Sequence, residues 1–298
     1  QRVCRQVRSA APDVPITIAT GREQTSLIRR QLGSAVNISV EPCRRDTFPA
    51  IALVSAYLHE VRGVPLDEAV AICPADPYVD AEYFRAVVRL LREAERKGAA
   101  DLILMGVEPT YPSEKYGYIM PASPEPQSLV QSFKEKPDKE TAAAYIEKGA
   151  LWNSGVFAFK LGYALGKARE LLGYTDYEDL FHRYEGLSKI SFDYAVVEKE
   201  RNIVVQRYSG TWLDIGTWNT LAAVMPRHDG RDLQECSCRE YDADADPLHG
   251  LEGCRGCGKP GGHTDRGQGA LQCDEALCGA AAYARDVCRK IMGRVPHH

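Results

Sequence analysis

The chain has 298 residues, of which 44% are hydrophobic and 26% are charged. These proportions are typical of a folded globular protein and exclude a disordered or collagen-like chain. With 37 basic and 41 acidic residues the net charge is −4, so charge favours neither nucleic acid nor a membrane surface as a partner. A small-molecule partner is expected. The absence of a long apolar run and of a signal-peptide pattern predicts a cytoplasmic protein.

The cysteines and the composition indicate a boundary late in the chain. Seven of the ten cysteines lie between Cys236 and Cys288. From about Met225 the sequence becomes rich in Asp, Gly, Cys and His and loses both the helical and the strand period. We therefore predict two parts, a domain over 1–225 and a Cys-rich tail over 226–298.

Strand and helix patterns alternate through the first part. Strands are predicted at 14–20, 37–42, 69–73 and 101–107, and helices at 23–32, from the Asp46 and Thr47 cap to Leu58, and after Asp80. Such alternation predicts an α/β fold with a mainly parallel sheet and helices on both faces. Ligands of these sheets bind at the carboxyl ends of the strands, which is where chemistry is expected.

Two aspartates follow predicted strands at positions suited to a hard cation. Asp76 comes directly after the strand at 69–73, and Asp214 follows a β-rich run in GTWLDIGTWNTL. Mg²⁺ prefers one or two carboxylates together with water and substrate phosphates. We expect the two carboxylates to converge, although their position alone favours ordinary turn or cap residues.

Three further segments carry polar groups suited to a sugar phosphate. Gly117 lies between two tyrosines, which indicates close approach of backbone to a ligand or a bulged strand. In FKEKPD, Glu135 can accept hydrogen bonds from hydroxyls and Lys136 can neutralise a phosphate, although a solvated charge cluster would look the same. Asn153 offers an amide ahead of an apolar strand.

Seven ordered blocks resemble one family. EPCRRDTFPAIAL, PADPYVD, PTYPSEKYGYI, FKEKPD, WNSGVFAFK, ISFDYAVVEK and GTWLDIGTWNTL are similar to successive motifs of the bacterial mannose-1-phosphate guanylyltransferases. The resemblance spans about residues 1–225. It implies a Rossmann-like nucleotidyltransferase core that forms GDP-mannose and pyrophosphate from GTP and mannose 1-phosphate. The assembly state, including a homo-oligomer, is left open.

The resemblance also implies roles for individual residues. Asp76 and Asp214 would hold the catalytic Mg²⁺, and Lys136 would join them in the catalytic set. The mannose phosphate would meet Gly117, Tyr118, Glu135, Lys136 and Asn153, and the nucleotide would meet Glu41, Pro42, Arg45, Asp46 and Thr47. The residue types agree with this chemistry, because in-line attack of a phosphate oxygen on the α-phosphorus of GTP needs no protein nucleophile.

The sequence departs from the family pattern at its beginning. Family members open with a glycine-rich loop and basic residues that cradle the triphosphate, whereas this sequence begins at QRVCRQVRSAAPDV. We therefore expect an N-terminally truncated chain without its first strand and with little or no guanylyltransferase activity.

The Cys-rich tail allows two interpretations. Residues 247–264 can be back-translated into codons that, read one nucleotide later, encode an apolar strand, a turn and a strand. This predicts a frameshift near 226–235 and a tail with little regular structure. Alternatively, Cys254, Cys257 and their neighbours form a zinc site. The chain would then be a non-catalytic regulatory protein that senses sugar nucleotides.

Overall fold

The computed structural model of the chain describes residues 1–214. The chain divides into two units, Gln1–Gln234 and Glu235–His298, and only the first contains described residues. The predicted boundary at residue 225 and both interpretations of the Cys-rich tail fall outside the described residues and stay predictions.

The order of elements follows the predicted alternation closely. The helices are α1 (Arg2–Ala10), α2 (Arg22–Leu32), α3 (Thr47–Ala56), α4 (Glu82–Glu95), α5 (Lys139–Glu147), α6 (Leu161–Leu172), α7 (Tyr177–Arg183) and α8 (Phe192–Ala195). The strands are β1 (Thr17–Gly21), β2 (Asn37–Glu41), β3 (Ala69–Ile72), β4 (Tyr78–Val79), β5 (Leu102–Val107), β6 (Tyr118–Pro121), β7 (Gln127–Lys134), β8 (Leu151–Lys160), β9 (Ile203–Tyr208) and β10 (Trp212–Leu213). Every strand and helix predicted between residues 14 and 107 is confirmed within a few residues.

The sheet is mixed, as predicted, but it is not mainly parallel. Six strands pair in the order β3-β8-β5-β9-β7-β6, and only β5 and β9 run parallel among them. A second parallel pair, β1 and β2, forms its own small sheet, and β4 and β10 form an antiparallel ribbon. The prediction was wrong in this respect because β6 and β7 are joined by a short turn, which gives antiparallel pairing without a crossover.

Apolar side chains of the helices cover both faces of the six-stranded sheet, as expected for a layered α/β fold. On one face Ile103 and Met105 of β5 pack with α4, whose residue Leu90 is 0% exposed. On the other face Leu104 packs with Phe48 of α3. Because successive strand residues point to opposite faces, β5 is buried along its whole length.

Two connections hold α8 against the start of α3. The Phe192 amide donates to Thr47 Oγ1 at 2.8 Å, and the Phe48 amide donates to the Ile190 carbonyl at 3.1 Å. Helix α8 is too short to be stable alone, so these contacts fix its position. Helix α8 thereby lies beside Thr47, one of the predicted nucleotide-side residues.

Candidate active site

The end of β7 carries a buried carboxylate and an exposed amine. Glu135 is 6% exposed, and Lys136 Nζ lies 3.0 Å from Glu135 Oε1. This hydrogen bond, more than any other contact, raises the pKa of Lys136 above its ordinary value, so the amine stays charged. Lys136 has φ 46°, a conformation that costs a non-glycine residue free energy and is concentrated at functional sites.

Gly117 lies against this pair. A Cβ atom at Gly117 would lie 2.6 Å from Glu135 Oε2 and 2.7 Å from Phe133 Cζ. The carbonyl of Gly117 also accepts a hydrogen bond of 2.8 Å from the backbone amide of Asn153. The position therefore requires glycine, because a larger side chain would leave no space for the Glu135 carboxylate.

Tyr118 has a different surrounding from its neighbour. Its side chain is 1% exposed, and its hydroxyl both accepts from the Ser113 amide at 2.9 Å and donates to the Ser113 carbonyl at 3.0 Å. The ring thus supports the preceding loop from inside the core. The backbone of Tyr118 pairs with Lys134 on one side and Trp152 on the other, and contact of this residue with a sugar stays a prediction.

Asn153 lies inside β8, where sequence analysis had placed it ahead of the strand. The register of β8 against β5 shifts between Asn153 and Phe157, and Gly155 within the shift has φ +73°. Such a bulge changes the direction of a side chain at a strand's edge. Asn153 Oδ1 accepts from the Gly155 amide at 3.2 Å, and its Nδ2 donates to Asp193 Oδ1 at 2.6 Å. The orientation of the amide is therefore determined by two partners.

Asp193, on α8, is a site residue that sequence analysis missed. Burial, together with the neighbouring charge of Glu135, raises the pKa of Asp193 to about 7, while Lys136 and Asn153 oppose the change. The sequence did contain a signal, because ISFDYAVVEK was one of the blocks that resembled the family, but no residue within it was selected. Glu198 of the same block accepts a hydrogen bond of 3.0 Å from the Glu135 amide.

The two predicted metal ligands flank the β4–β10 ribbon. Leu213 pairs with Tyr78, and continuing that register by one residue places Asp214 opposite Pro77, the neighbour of Asp76. Both aspartates are exposed. The convergence of the two carboxylates stays a prediction, and the ribbon, not the main sheet, is the element that would supply it. Their role as metal ligands stays a prediction.

An aromatic cluster connects the ribbon with the sugar-side residues. The Tyr116 ring lies 4.9 Å from Trp152 and 5.3 Å from Trp212, measured between centroids. Burial, together with neighbouring Tyr111 and the charge of Asp214, raises the pKa of Tyr116. The Tyr116 carbonyl accepts from the Lys136 amide at 3.2 Å. Tyr116 thus contacts β8, β10 and the residue after Glu135.

The predicted nucleotide-side residues lie between β2 and the start of α3. Glu41 Oε2 accepts from the Tyr184 hydroxyl at 3.0 Å, and burial raises the pKa of Glu41 above its ordinary value. Pro42 is half-buried beside it. Arg45 donates to the Glu185 carbonyl, and its buried Nε has no hydrogen-bond partner in the described part of the chain.

Asp46 and Thr47 complete this segment. Asp46 caps α3 by accepting from the Thr47 amide at 2.7 Å, as predicted. It has φ 69° and ψ −177°, a combination that is strained for any side chain. Asp46 and Lys136 are the two non-glycine residues with positive φ in the described range 1–214, and both belong to the predicted site.

Two other features are absent from the described residues. Within residues 1–214, no three His, Cys, Asp or Glu side chains lie together as a metal cluster would require. No helix of that same range is long and apolar enough to cross a membrane.

Comparison with known proteins places this geometry in a family. The sequence profile described as nucleotidyl transferase matches residues 3–229. The chain is 30% identical to a mannose-1-phosphate guanylyltransferase, RfbM, from Salmonella typhimurium over 257 residues, covering 78% of this chain and 53% of that protein. It is 34% identical to a mannose-1-phosphate guanylyltransferase from Escherichia coli over 220 residues, covering 64% and 45%. The chain thus spans about half the length of the curated relatives it matches.

Solved structures agree on the fold. A structure described as mannose-1-phosphate geranyltransferase from Thermus thermophilus is 30% identical, with a TM-score of 0.63, and is matched over 76% of this chain and 69% of that chain. A structure described as mannose-6-phosphate isomerase from Helicobacter pylori is 21% identical with a TM-score of 0.59, over 71% and 89%. The latter supports the fold alone. The resemblance stated from the seven sequence blocks is confirmed as a family relationship.

Proposed function

Because the chain belongs to the nucleotidyl transferase family, we propose that its described residues form the sugar-phosphate and metal side of a mannose-1-phosphate guanylyltransferase site. The reaction would join mannose 1-phosphate to GTP and yield GDP-mannose and pyrophosphate. The observation that carries this proposal is the cluster of Glu135, Lys136 and Asn153, which places a cation, an acceptor and an amide beside one another. The names of the two guanylyltransferase relatives supply the substrates.

Each group of this cluster suits one part of a sugar phosphate. The Lys136 amine is half-exposed and charged, so it can neutralise a phosphate oxygen. The buried Glu135 carboxylate can accept from a sugar hydroxyl, and the Asn153 amide can donate to one. A sugar phosphate offers both a dianion and neutral hydroxyls, and these match the set.

Asp76 and Asp214 would hold Mg²⁺, because both are exposed carboxylates at adjoining ends of the β4–β10 ribbon. When bound, the ion would supply positive charge near the phosphates during transfer. Glu41, Pro42, Arg45, Asp46 and Thr47 would face the nucleotide.

The chemistry asks the protein for position and charge. A phosphate oxygen of mannose 1-phosphate would form a bond to the α-phosphorus of GTP, and the bond from that phosphorus to pyrophosphate would break. Lys136 would hold the attacking phosphate, while Asn153 and Glu135 would orient the sugar. No side chain needs to form a covalent intermediate.

Calorimetric titration of the 298-residue chain with mannose 1-phosphate tests the binding half of this proposal. Lys136→Met should weaken binding about tenfold or more, because a charge-assisted hydrogen bond to phosphate is lost. Lys139→Met is the matched control, since Lys139 is an exposed lysine at the start of α5. Equal affinity of the two variants, or no binding by the unchanged chain, would contradict the proposal.

A further inference from the structure

Asp193 makes a hydrogen bond that has no role in the reaction proposed above. Its Oδ1 accepts from Asn153 Nδ2 at 2.6 Å, across 40 residues of sequence. Asp193 itself lies on α8, whose first amide is held by Thr47 Oγ1. Neither Asp193 nor its helix belongs to the residues that the family resemblance assigned.

The bond to Asp193 determines how the Asn153 amide is presented. An amide group has an acceptor oxygen and two donor hydrogens on nitrogen. The Gly155 amide occupies the oxygen, and Asp193 takes one of the two hydrogens. Without the carboxylate, the amide could rotate and present its oxygen in place of its nitrogen. With it, the nitrogen stays on the Asp193 side, and its second N–H keeps a fixed direction.

We infer that Asp193 is a positioning residue for the sugar: it fixes the Asn153 amide so that the second Nδ2 hydrogen is directed to a ligand hydroxyl oxygen. This inference rests on the proposed function, because it specifies how that site would recognise its sugar. It assigns Asp193 no contact with the ligand. The role is exerted through Asn153.

The charges around Asp193 favour this role over a simple ion pair. Glu135 and Asp193 are two carboxylates beside a single amine, and Lys136 forms an ion pair with Glu135 at 3.0 Å. Asp193 therefore does not have Lys136 to itself, and its defined partner is the neutral Asn153 amide. A carboxylate kept in a half-buried position mainly by an amide is suited to orienting that amide.

A double-mutant cycle tests the inference by calorimetric titration of the 298-residue chain. Asp193→Ala should weaken binding of mannose 1-phosphate about 5- to 10-fold, within the usual range for one hydrogen bond between neutral groups, here the Asn153 amide and a sugar hydroxyl. In the Asn153→Ala background the same change should have an effect of less than about twofold, because the residue through which Asp193 acts is gone. Asp193→Asn, which keeps an acceptor oxygen, should recover most of the affinity.

Inorganic phosphate as a second probe separates positioning from a general structural effect. Phosphate has no sugar hydroxyl, so Asp193→Ala should not weaken its binding, whereas Lys136→Met should weaken both probes. Asp179→Ala is the control for loss of a hydrogen-bonded carboxylate, since Asp179 accepts from Thr175 and Arg183 on α7. It should change neither affinity.

The outcomes distinguish this inference from the proposed function. If the unchanged chain binds mannose 1-phosphate and Asp193→Ala binds it equally well, or if the two single effects simply add, the inference is wrong and the proposed function stands. If the unchanged chain does not bind mannose 1-phosphate, the proposed function fails first. Should Asp193→Ala not fold, Asp193→Ser, whose hydroxyl is too short to reach Nδ2, takes its place in the same cycle.

Discussion

Replacement of Gly117 by alanine should disturb the site from within. The added Cβ would lie 2.6 Å from Glu135 Oε2, about 0.8 Å short of the 3.4 Å at which ordinary contact begins. Glu135 is buried, its carboxylate pairs with Lys136, and its backbone amide donates a hydrogen bond to Glu198, so the carboxylate cannot simply move into solvent. Overpacking of this kind costs about 1–3 kcal/mol of the free energy of unfolding.

The same change should also weaken ligand binding. Displacement of the Glu135 carboxylate moves the oxygen that pairs with Lys136. The Gly117 carbonyl, which accepts from the backbone amide of Asn153, shifts with it. We expect at least a tenfold loss of affinity for mannose 1-phosphate, together with a lower urea midpoint. The two measurements are urea denaturation and calorimetric titration.

Gly166→Ala is the matched control. Gly166 lies inside α6, where an added Cβ would have no atom within 4 Å. Alanine should therefore stabilise the chain by about 0.5–1 kcal/mol through its higher helix propensity, without effect on binding. If Gly117→Ala keeps both the stability and the affinity of the unchanged chain, the expected clash with Glu135 is refuted.

Three more predictions concern charge and backbone. The pKa of Asp193 is raised from 3.8 to about 7, so protonation of this residue stabilises the folded chain at low pH, and the stability is lost as pH rises through about 7. Asp193→Asn should remove up to about 1.4 kcal/mol per pH unit from the pH dependence of the free energy of unfolding. Although partial burial opposes it, hydrogen bonds from the Arg201 amide and the Tyr163 hydroxyl lower the pKa of Glu200 to about 2. The ionised Glu200 therefore contributes about 1–2 kcal/mol to the free energy of unfolding after solvent screening, and this contribution is present above pH 4.5 and lost as pH falls toward 2. Glu200→Gln should abolish this acid sensitivity. Asp46→Ala should lose about 1 kcal/mol, whereas Asp46→Gly should stay within about 0.5 kcal/mol of the unchanged chain, because glycine accepts φ 69° and is a tolerable cap.

Urea denaturation measures all three. Equal pH slopes with and without the Asp193 carboxyl would contradict the first prediction. Retention of the acid-sensitive step in Glu200→Gln would contradict the second. Equal stability of the two Asp46 variants would show that the backbone at this position carries no strain.

Local patterns were sufficient for much of the fold. The Asp46 cap, the proline in the first turn of α3 and the strand at β5 depend on neighbours in sequence, and the structure has them where the sequence predicted them. The mainly parallel sheet was wrong because the later strands pair through a hairpin and an inserted β8. Pairing between distant strands leaves no short-range signal.

The site was predictable in its residues but not in its connections. Glu135 and Lys136 were recognisable as a charged pair at a strand's end. The bond between Asn153 and Asp193 depends on a bulge in β8 and on the placement of α8, and both arise only from tertiary packing. The positive φ of Lys136 was equally invisible, because nothing in a lysine indicates that conformation.

A crystal structure of the 298-residue chain grown with mannose 1-phosphate and manganese chloride, measured at the manganese absorption edge, tests the proposed site most directly. We expect the phosphate within about 4 Å of Lys136 Nζ, a sugar hydroxyl on Asn153 Nδ2, and an anomalous peak between Asp76 and Asp214. A sugar phosphate bound elsewhere, or a manganese ion away from both aspartates, would contradict it.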